Sequence, residues 1–206
     1  MPPDSEPAHG AGAERAGGEP SAHVGQVLLA LARRAIEEAL GVPPAAPPPD
    51  LAAEPWLRAP GASFVTLTRD GHLRGCIGSV RARRPLADDV RGNARAAALA
   101  DPRFAPVTAR ELPALRVEVS LLAPATPFPA ATEEEALAQL RPGIDGIILE
   151  YGGEAHATFL PQVWETLPAP RDFLAHLKDK AGLPPGFWSP AIRLQRYTVA
   201  KWAERR

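Results

Sequence analysis

The sequence predicts an α+β fold with antiparallel sheet, and three observations support this class. The turns Asp70-Gly71 and Gly152-Gly153 each join two short runs of strand-forming residues, as in β-hairpins. Runs with helical spacing of apolar residues separate these hairpins from further strands. The resulting order is helix, hairpin, helix, strand, helix, hairpin, helix, strand, which differs from the strand–helix–strand alternation of parallel sheets.

The first half of the chain follows from local patterns of apolar residues and turn residues. The first predicted helix ends at Gly41, which suits a C-cap. Pro85 suits the first turn of the second helix, which carries a narrow apolar stripe of mostly small residues. The predicted elements are a helix over 23–40, strands over 63–68 and 72–80, a helix that begins at Pro85, and a strand over 115–122.

The second half repeats the order of hairpin, helix and strand. Thr132 with Glu135 three residues later predicts a capping box at the start of a short helix. Gly182 is expected to end the last helix, whose apolar side contains Phe173, Leu174 and Leu177. The predicted elements are strands over 147–151 and 155–160, a helix over 170–181, and one last strand over 191–202.

Composition limits both the domain organisation and the function. Residues 1–22, rich in Gly, Ala, Pro and Glu, are expected to form a disordered tail, and residues 23–206 suit either one domain or two small lobes that share an interface, with a Pro-rich linker at 43–49. The formal net charge is -1, which does not favour a nucleic-acid partner, and we expect no membrane partner. We expect no signal peptide and no membrane-spanning segment, which makes a cytoplasmic location the default.

The strand over 72–80 contains the most distinctive residues of the chain. Cys76, the single cysteine, stands between Gly75 and Gly78, and glycine in a strand often marks a bulge or a close approach of another group. Cys76 is either a small buried hydrophobe or a reactive thiol. In a strand without a bulge, Arg74 shares its face and would favour the thiolate. His72 or His156 would have to serve as the base for a nucleophile.

Six arginines fall within one hairpin–helix unit: Arg74, Arg81, Arg83, Arg84, Arg91 and Arg95. They form either a solvated face or an anion pocket, because guanidinium groups and a helix N-terminus suit phosphate and carboxylate. Gln162 and Lys180 are further ligand-binding or partner-binding candidates, although Lys180 is also explained by the helix dipole. The histidines show no metal spacing and there is no phosphate loop, so we expect no metal site and no cofactor.

The segment Leu73-Arg74-Gly75-Cys76-Ile77-Gly78 resembles the signature of the AMMECR-one domain family (the AmmeMemoRadiSam system protein A family). Three further segments resemble the family pattern in the same order, and the resemblance covers about residues 24–204. These segments are Asn93-Ala94 with Asp101 to Pro106, Thr158 to Val163, and Lys180 to Leu183.

The resemblance implies two pseudo-symmetric lobes that share a barrel-like antiparallel sheet with flanking helices. It also implies a companion role beside a Memo-like protein and a radical SAM enzyme. We therefore expect an accessory protein of the AmmeMemoRadiSam system that binds a partner protein or a small anionic substrate at the Leu73–Gly78 strand. The alternative is an enzyme with Cys76 as nucleophile, and a nucleic-acid-associated module is the least expected class.

Overall fold

The structure is a computed structural model that describes residues 21–205. The predicted tail over 1–22 lies outside the described residues except for Ser21 and Ala22, where the first helix begins. Within residues 21–205 there are four α-helices: α1 (Ala22–Ala39), α2 (Leu86–Leu99), α3 (Glu133–Gln139) and α4 (Pro170–Lys180). None of these helices is both long enough and apolar enough to cross a membrane.

Nine β-strands accompany the helices in the described part of the chain. They are β1 (Pro60–Arg69), β2 (His72–Gly78), β3 (Arg84–Pro85), β4 (Leu115–Leu122), β5 (Thr126–Pro127), β6 (Gly146–Tyr151), β7 (Ala155–Phe159), β8 (Arg193–Tyr197) and β9 (Val199–Ala203). All strand pairs are antiparallel, which confirms the predicted α+β class.

Within the described residues the strands form two open sheets, one in each lobe, and not the shared barrel-like sheet that was expected. The first sheet has the order β2-β1-β4-β9, with β3 paired to β1, and the second has the order β5-β8-β6-β7. Read from the hairpin outward, each sheet contains a hairpin, the strand that follows the next helix, and then a strand from outside that lobe's hairpin–helix–strand run, which is β9 in the first sheet and the short β5 in the second. This shared order confirms the pseudo-symmetry of the two lobes.

The last strand was predicted as one element over 191–202, and this prediction is wrong. The segment forms β8 in the second sheet and β9 in the first sheet, with Thr198 between them. The Thr198 carbonyl accepts a hydrogen bond from Ala123 N–H at 2.9 Å, where the chain crosses from β4 toward β5. Both residue runs favour strands, so local propensity does not reveal that the chain changes sheets.

Each lobe has its own apolar core. In the first lobe, α1 and α2 pack on one face of the first sheet, and the predicted α2 stripe of Leu86, Val90, Ala94 and Ala97 is buried. In the second lobe, Phe173 of α4 stacks on Trp164 at 3.8 Å between ring centroids. A smaller cluster joins the lobes and contains Ala62, Leu122, Ile148 and Tyr197.

Candidate functional site

The signature segment Leu73–Gly78 lies in β2, an edge strand of the first sheet. Gly75 pairs with Leu67 of β1, but Leu73 pairs with Thr68, so Arg74 is the extra residue of a β-bulge. The shared face expected for Arg74 and Cys76 depended on a strand without a bulge. Because of this bulge, the two-residue spacing no longer places the Arg74 guanidinium on the same face of β2 as the Cys76 thiol.

The two glycines of the signature allow close packing within the protein. An ideal Cβ at Gly75 would lie 2.1 Å from the carbonyl oxygen of Ala97 in α2. An ideal Cβ at Gly78 would lie 2.2 Å from the ring of Phe64 on β1. The close approach predicted from these glycines is therefore made by the protein's own helix and aromatic ring.

Arg74 binds groups of the protein itself. Its Nε donates to Glu111 Oε1 at 2.9 Å, and its Nη1 donates to the Ala105 carbonyl at 2.9 Å. The hydrogen bond from Arg74, followed by one from the backbone N–H of Thr108, lowers the pKa of Glu111 to about 2. The Arg74 charge is thus matched by a carboxylate that stays ionised at neutral pH.

Cys76 is held at the outer edge of β2 by Asp101 and Arg103. The Cys76 N–H donates to Asp101 Oδ2 at 2.8 Å, and its carbonyl accepts from Arg103 Nη2 at 3.1 Å. These two side chains replace the neighbouring strand that an edge strand lacks. The thiol is half-buried and accepts a hydrogen bond from Thr66 Oγ1 at 3.3 Å.

The guanidinium beside Cys76 is that of Arg103, which the sequence analysis did not single out. Hydrogen bonding from Arg103, including a contact of 2.6 Å, holds the pKa of the Asp101 carboxyl well below its ordinary value. Asp101 in turn raises the pKa of Arg103, with a smaller contribution from the Cys76 thiol. The family segment at Asp101–Pro106 and the signature strand therefore form one unit, although 25 residues separate Asp101 from Cys76.

The candidate bases and the remaining candidate residues lie in other surroundings. His72 is exposed at the start of β2, and His156 Nδ1 lies 3.6 Å from Glu150 Oε1. Within residues 21–205, no hydrogen bond joins either histidine to Cys76. Lys180 donates to the Thr158 carbonyl at 3.0 Å, and Gln162 lines a cavity of about 360 Å³ between the second lobe and β9 of the first sheet.

The six arginines of the predicted cluster separate into two groups. Arg74 pairs with Glu111, Arg91 lies 3.8 Å from Asp88, and Arg95 lies 3.6 Å from Glu38. The other three line the boundary between the lobes, and this is where an anion pocket could form. They are Arg81, Arg83 and Arg84.

This boundary contains two adjoining cavities of about 640 and 550 Å³, which share Arg81 and His156. We call them together the arginine cleft. Arg193 of β8 enters the cleft from the second lobe, opposite Glu150 in the register of β6 and β8. Arg81 Nη2 donates to Glu150 Oε1 at 2.7 Å and so connects the two lobes.

The charge of the arginine cleft is positive. Its lining contains four arginines against two carboxylates, Asp89 and Glu150, so the formal charge is +2 with His156 neutral. Within residues 21–205, Arg83 and Arg193 have no ion pair with a carboxylate. Arg193 was missed by the sequence analysis because only the fold brings β8 next to the loop that follows β2.

The buried carboxylate of Asp89 holds in place the residues that line the cleft on the side of the first lobe. Asp89 in the first turn of α2 is 1% exposed and accepts hydrogen bonds from Ser79 Oγ at 2.7 Å and Arg84 Nε at 2.9 Å. It also accepts from the N–H and Oγ of Ser63 and from Asn93 Nδ2. The network ties the end of β2 to β1 and α2, and it holds Arg84 at the edge of the cleft.

Comparison with known proteins agrees with the fold and the signature segments. The sequence model of the AMMECR1 family matches residues 29–202. A protein of Methanothermobacter thermautotrophicus is 38% identical over 179 residues, which is 84% of this chain and 90% of that protein. The fold and these matches define a two-lobed α+β protein of the AMMECR1 class.

A solved structure extends the comparison to three dimensions. The crystal structure of the uncharacterised protein PH0010 from Pyrococcus horikoshii has a TM-score of 0.74 and 36% sequence identity, and it covers 89% of this chain and 92% of that chain. The protein belongs to the AMMECR1 family, as the resemblance of its signature segments predicted.

Proposed function

We propose that this protein is a binding protein for a small anionic molecule, which it holds in the arginine cleft between its two lobes. The single observation that carries the proposal is the excess of guanidinium groups over carboxylates in the cleft lining. Arginine presents several N–H donors in a plane, an arrangement that matches carboxylate and phosphate.

The arginine cleft supports this role better than the signature strand does. Arg74 already donates to Glu111 and to two backbone carbonyls, so an anion at this position would have to displace them. Arg83 and Arg193 carry no such carboxylate partner within the described residues 21–205. Arg83 lines one cavity of the cleft from the first lobe and Arg193 lines the other from the second lobe, while Arg81 is common to both cavities.

Calorimetric titration with small anions tests the proposal. The probes are acetate, inorganic phosphate, benzoate and phenyl phosphate at low ionic strength, where the attraction is least screened. Arg83→Gln and Arg193→Gln are each expected to weaken binding by about 10-fold or more, since a charged hydrogen bond contributes about 1.5–3 kcal/mol. Arg91→Gln removes a solvated arginine of the same predicted cluster, which lies outside the cleft, and is the matched control.

Two results would reject the proposed function. One is the absence of binding for all four anions. The other is an equal loss of affinity in Arg91→Gln and Arg83→Gln, because the attraction would then depend on total charge and not on the cleft.

A second candidate function is a reactive thiol at Cys76. The observation in its favour is the half-buried position of the thiol beside the Arg103 guanidinium, which donates to the Cys76 carbonyl. A nucleophilic thiol is expected to react with iodoacetamide in the folded protein, and Arg103→Gln is expected to slow that reaction. Labelling that requires denaturation would exclude this role.

The companion role beside a Memo-like protein and a radical SAM enzyme also remains a proposal. Its support is membership of the AMMECR1 family together with the expectation that the resemblance carries. Purification of the protein from its native cells tests this role, and the expected result is recovery of at least one of the two partners. The cytoplasmic location stays a prediction that fractionation of the same cells would check.

A further inference from the structure

A further cavity, of about 740 Å³, adjoins the arginine cleft at the boundary of the two lobes. We call it the apolar chamber. Its walls come from β1, β4 and α2 of the first lobe and from β6 and β8 of the second. Most lining residues are apolar, and they include Trp56, Ala62, Leu86, Leu122, Ile148 and Tyr197.

The aromatic side chains in these walls have their polar atoms bound within the protein. Trp56 Nε1 donates to Glu54 Oε2 at 2.5 Å. The Tyr197 hydroxyl lies 3.0 Å from Thr158 Oγ1 and donates to the Phe159 carbonyl at 3.1 Å. Carbon atoms of both rings therefore line the chamber; Trp56 is half-buried whereas Tyr197 is 3% exposed, so Trp56 offers most of the aromatic surface that a hydrocarbon group would bury favourably.

Arg81 is common to the apolar chamber and to both cavities of the arginine cleft. Glu150, which accepts from Arg81, also lines the chamber. Apolar space and guanidinium groups therefore meet at one side chain. Ligand sites commonly combine a mostly apolar pocket of about 300–1,000 Å³ with a few polar groups that fix the ligand's orientation.

We propose that the ligand is a small oxyanion with an apolar body, such as an aromatic carboxylate or an aromatic phosphate monoester. Its charged group lies in the arginine cleft near Arg81, the residue common to all three cavities, and its apolar body extends into the chamber. This inference rests on the proposed function, because it assigns the chemical class of the anion that the cleft binds. In addition, burial of the ligand's apolar body in the chamber supplies a large part of the binding free energy.

Two matched pairs of probes test the inference by calorimetry. Benzoate is compared with acetate, and phenyl phosphate with inorganic phosphate, so that each pair differs in the apolar body while the charged group is of the same kind. Burial of a ring is expected to increase the affinity at least 10-fold within each pair. The pair with the higher affinity identifies carboxylate or phosphate as the charged group.

Variants that reduce the volume of the chamber test whether the aromatic rings of the probes bind there. Ala123→Leu and Ala200→Leu place a larger side chain in the lining, and each is expected to remove the advantage of the aromatic probes while acetate binding stays within 2-fold. Ala123 is exposed, so its replacement keeps the test available should Ala200→Leu fail to fold. Ala109→Leu changes an exposed alanine outside the chamber lining and is expected to leave all affinities unchanged.

The possible results separate this inference from the proposed function. Equal affinities within both pairs, or an aromatic advantage that survives Ala123→Leu, would overturn the inference and leave the anion site in place. Failure of all four probes to bind would reject the anion site itself and the inference with it.

Discussion

Replacement of Gly75 by alanine is expected to destabilise the protein by about 2 kcal/mol. The new Cβ would lie 2.1 Å from the carbonyl oxygen of Ala97, whereas such contacts are not found below 3.0 Å, so β2 and α2 must separate by about 1 Å. The opposing atom belongs to a helix backbone and cannot rotate away, which places the overpacking cost at about 3 kcal/mol. The lower entropy of the unfolded alanine chain offsets about 0.5–1 kcal/mol of this cost.

Two other glycines provide graded controls for this prediction. At Gly78 the new Cβ would lie 2.2 Å from Cγ of Phe64, the inner end of a half-buried ring, so the whole side chain would have to move and we expect a cost of about 1–2 kcal/mol, between those of the other two variants. At Gly186 an ideal Cβ meets nothing within 4 Å, so alanine is expected to be neutral or slightly stabilising.

Urea unfolding followed by tryptophan fluorescence measures all three variants on the same scale. A loss of about 2 kcal/mol in Gly75→Ala corresponds to a decrease in melting temperature of about 4–8 °C for a chain of this length. Equal free energies of unfolding for Gly75→Ala and Gly186→Ala would refute the argument that Gly75 is required by the contact between β2 and α2.

Two further predictions concern the charged groups that position the site. Asp89→Asn is expected to lower the free energy of unfolding by about 3 kcal/mol. The N–H groups of the new amide would face the groups that now donate hydrogen bonds to the Asp89 carboxylate. An unchanged urea midpoint would contradict this prediction. Glu111 has its pKa lowered to about 2 from an ordinary value of 4.5, so its pairing with Arg74 stabilises the fold above pH 4.5 and loses this effect as the pH falls toward 2. Because the pair is partly solvated, we expect the free energy of unfolding of the wild type to exceed that of Glu111→Gln by about 1 kcal/mol at pH 6 and by less at pH 3. A difference in free energy that does not change with pH would exclude this linkage.

Much of the fold could be predicted because local patterns and tertiary packing agree. The strand Leu115–Leu122 has the predicted ends, and the cap of α3 forms as expected, with Thr132 Oγ1 accepting from Glu135 N–H at 3.2 Å. The division of the last strand at Thr198 could not be predicted, since it depends on pairing with the chain segment that follows β4. The separation of the strands into two open sheets depends on the same crossing.

The candidate site was predictable only in part. Arg81, Arg83 and Arg84 could be grouped as a candidate anion pocket because they are close in sequence. Arg193 joins them through the pairing of β8 with β6, which no local pattern indicates. Likewise, Arg103 reaches Cys76 through the fold, whereas Arg74, its near neighbour in sequence, is held at a bulge by Glu111.

Chemical-shift mapping by two-dimensional NMR tests the location of the anion site most directly. Titration of the ¹⁵N-labelled protein with benzoate or phenyl phosphate is expected to shift amide resonances in three groups: residues 79–84, residues 150–156 and Arg193. Shifts confined to Leu73–Gly78, or no shifts at concentrations where binding is measured, would contradict the assignment of anion binding to the cleft between the lobes.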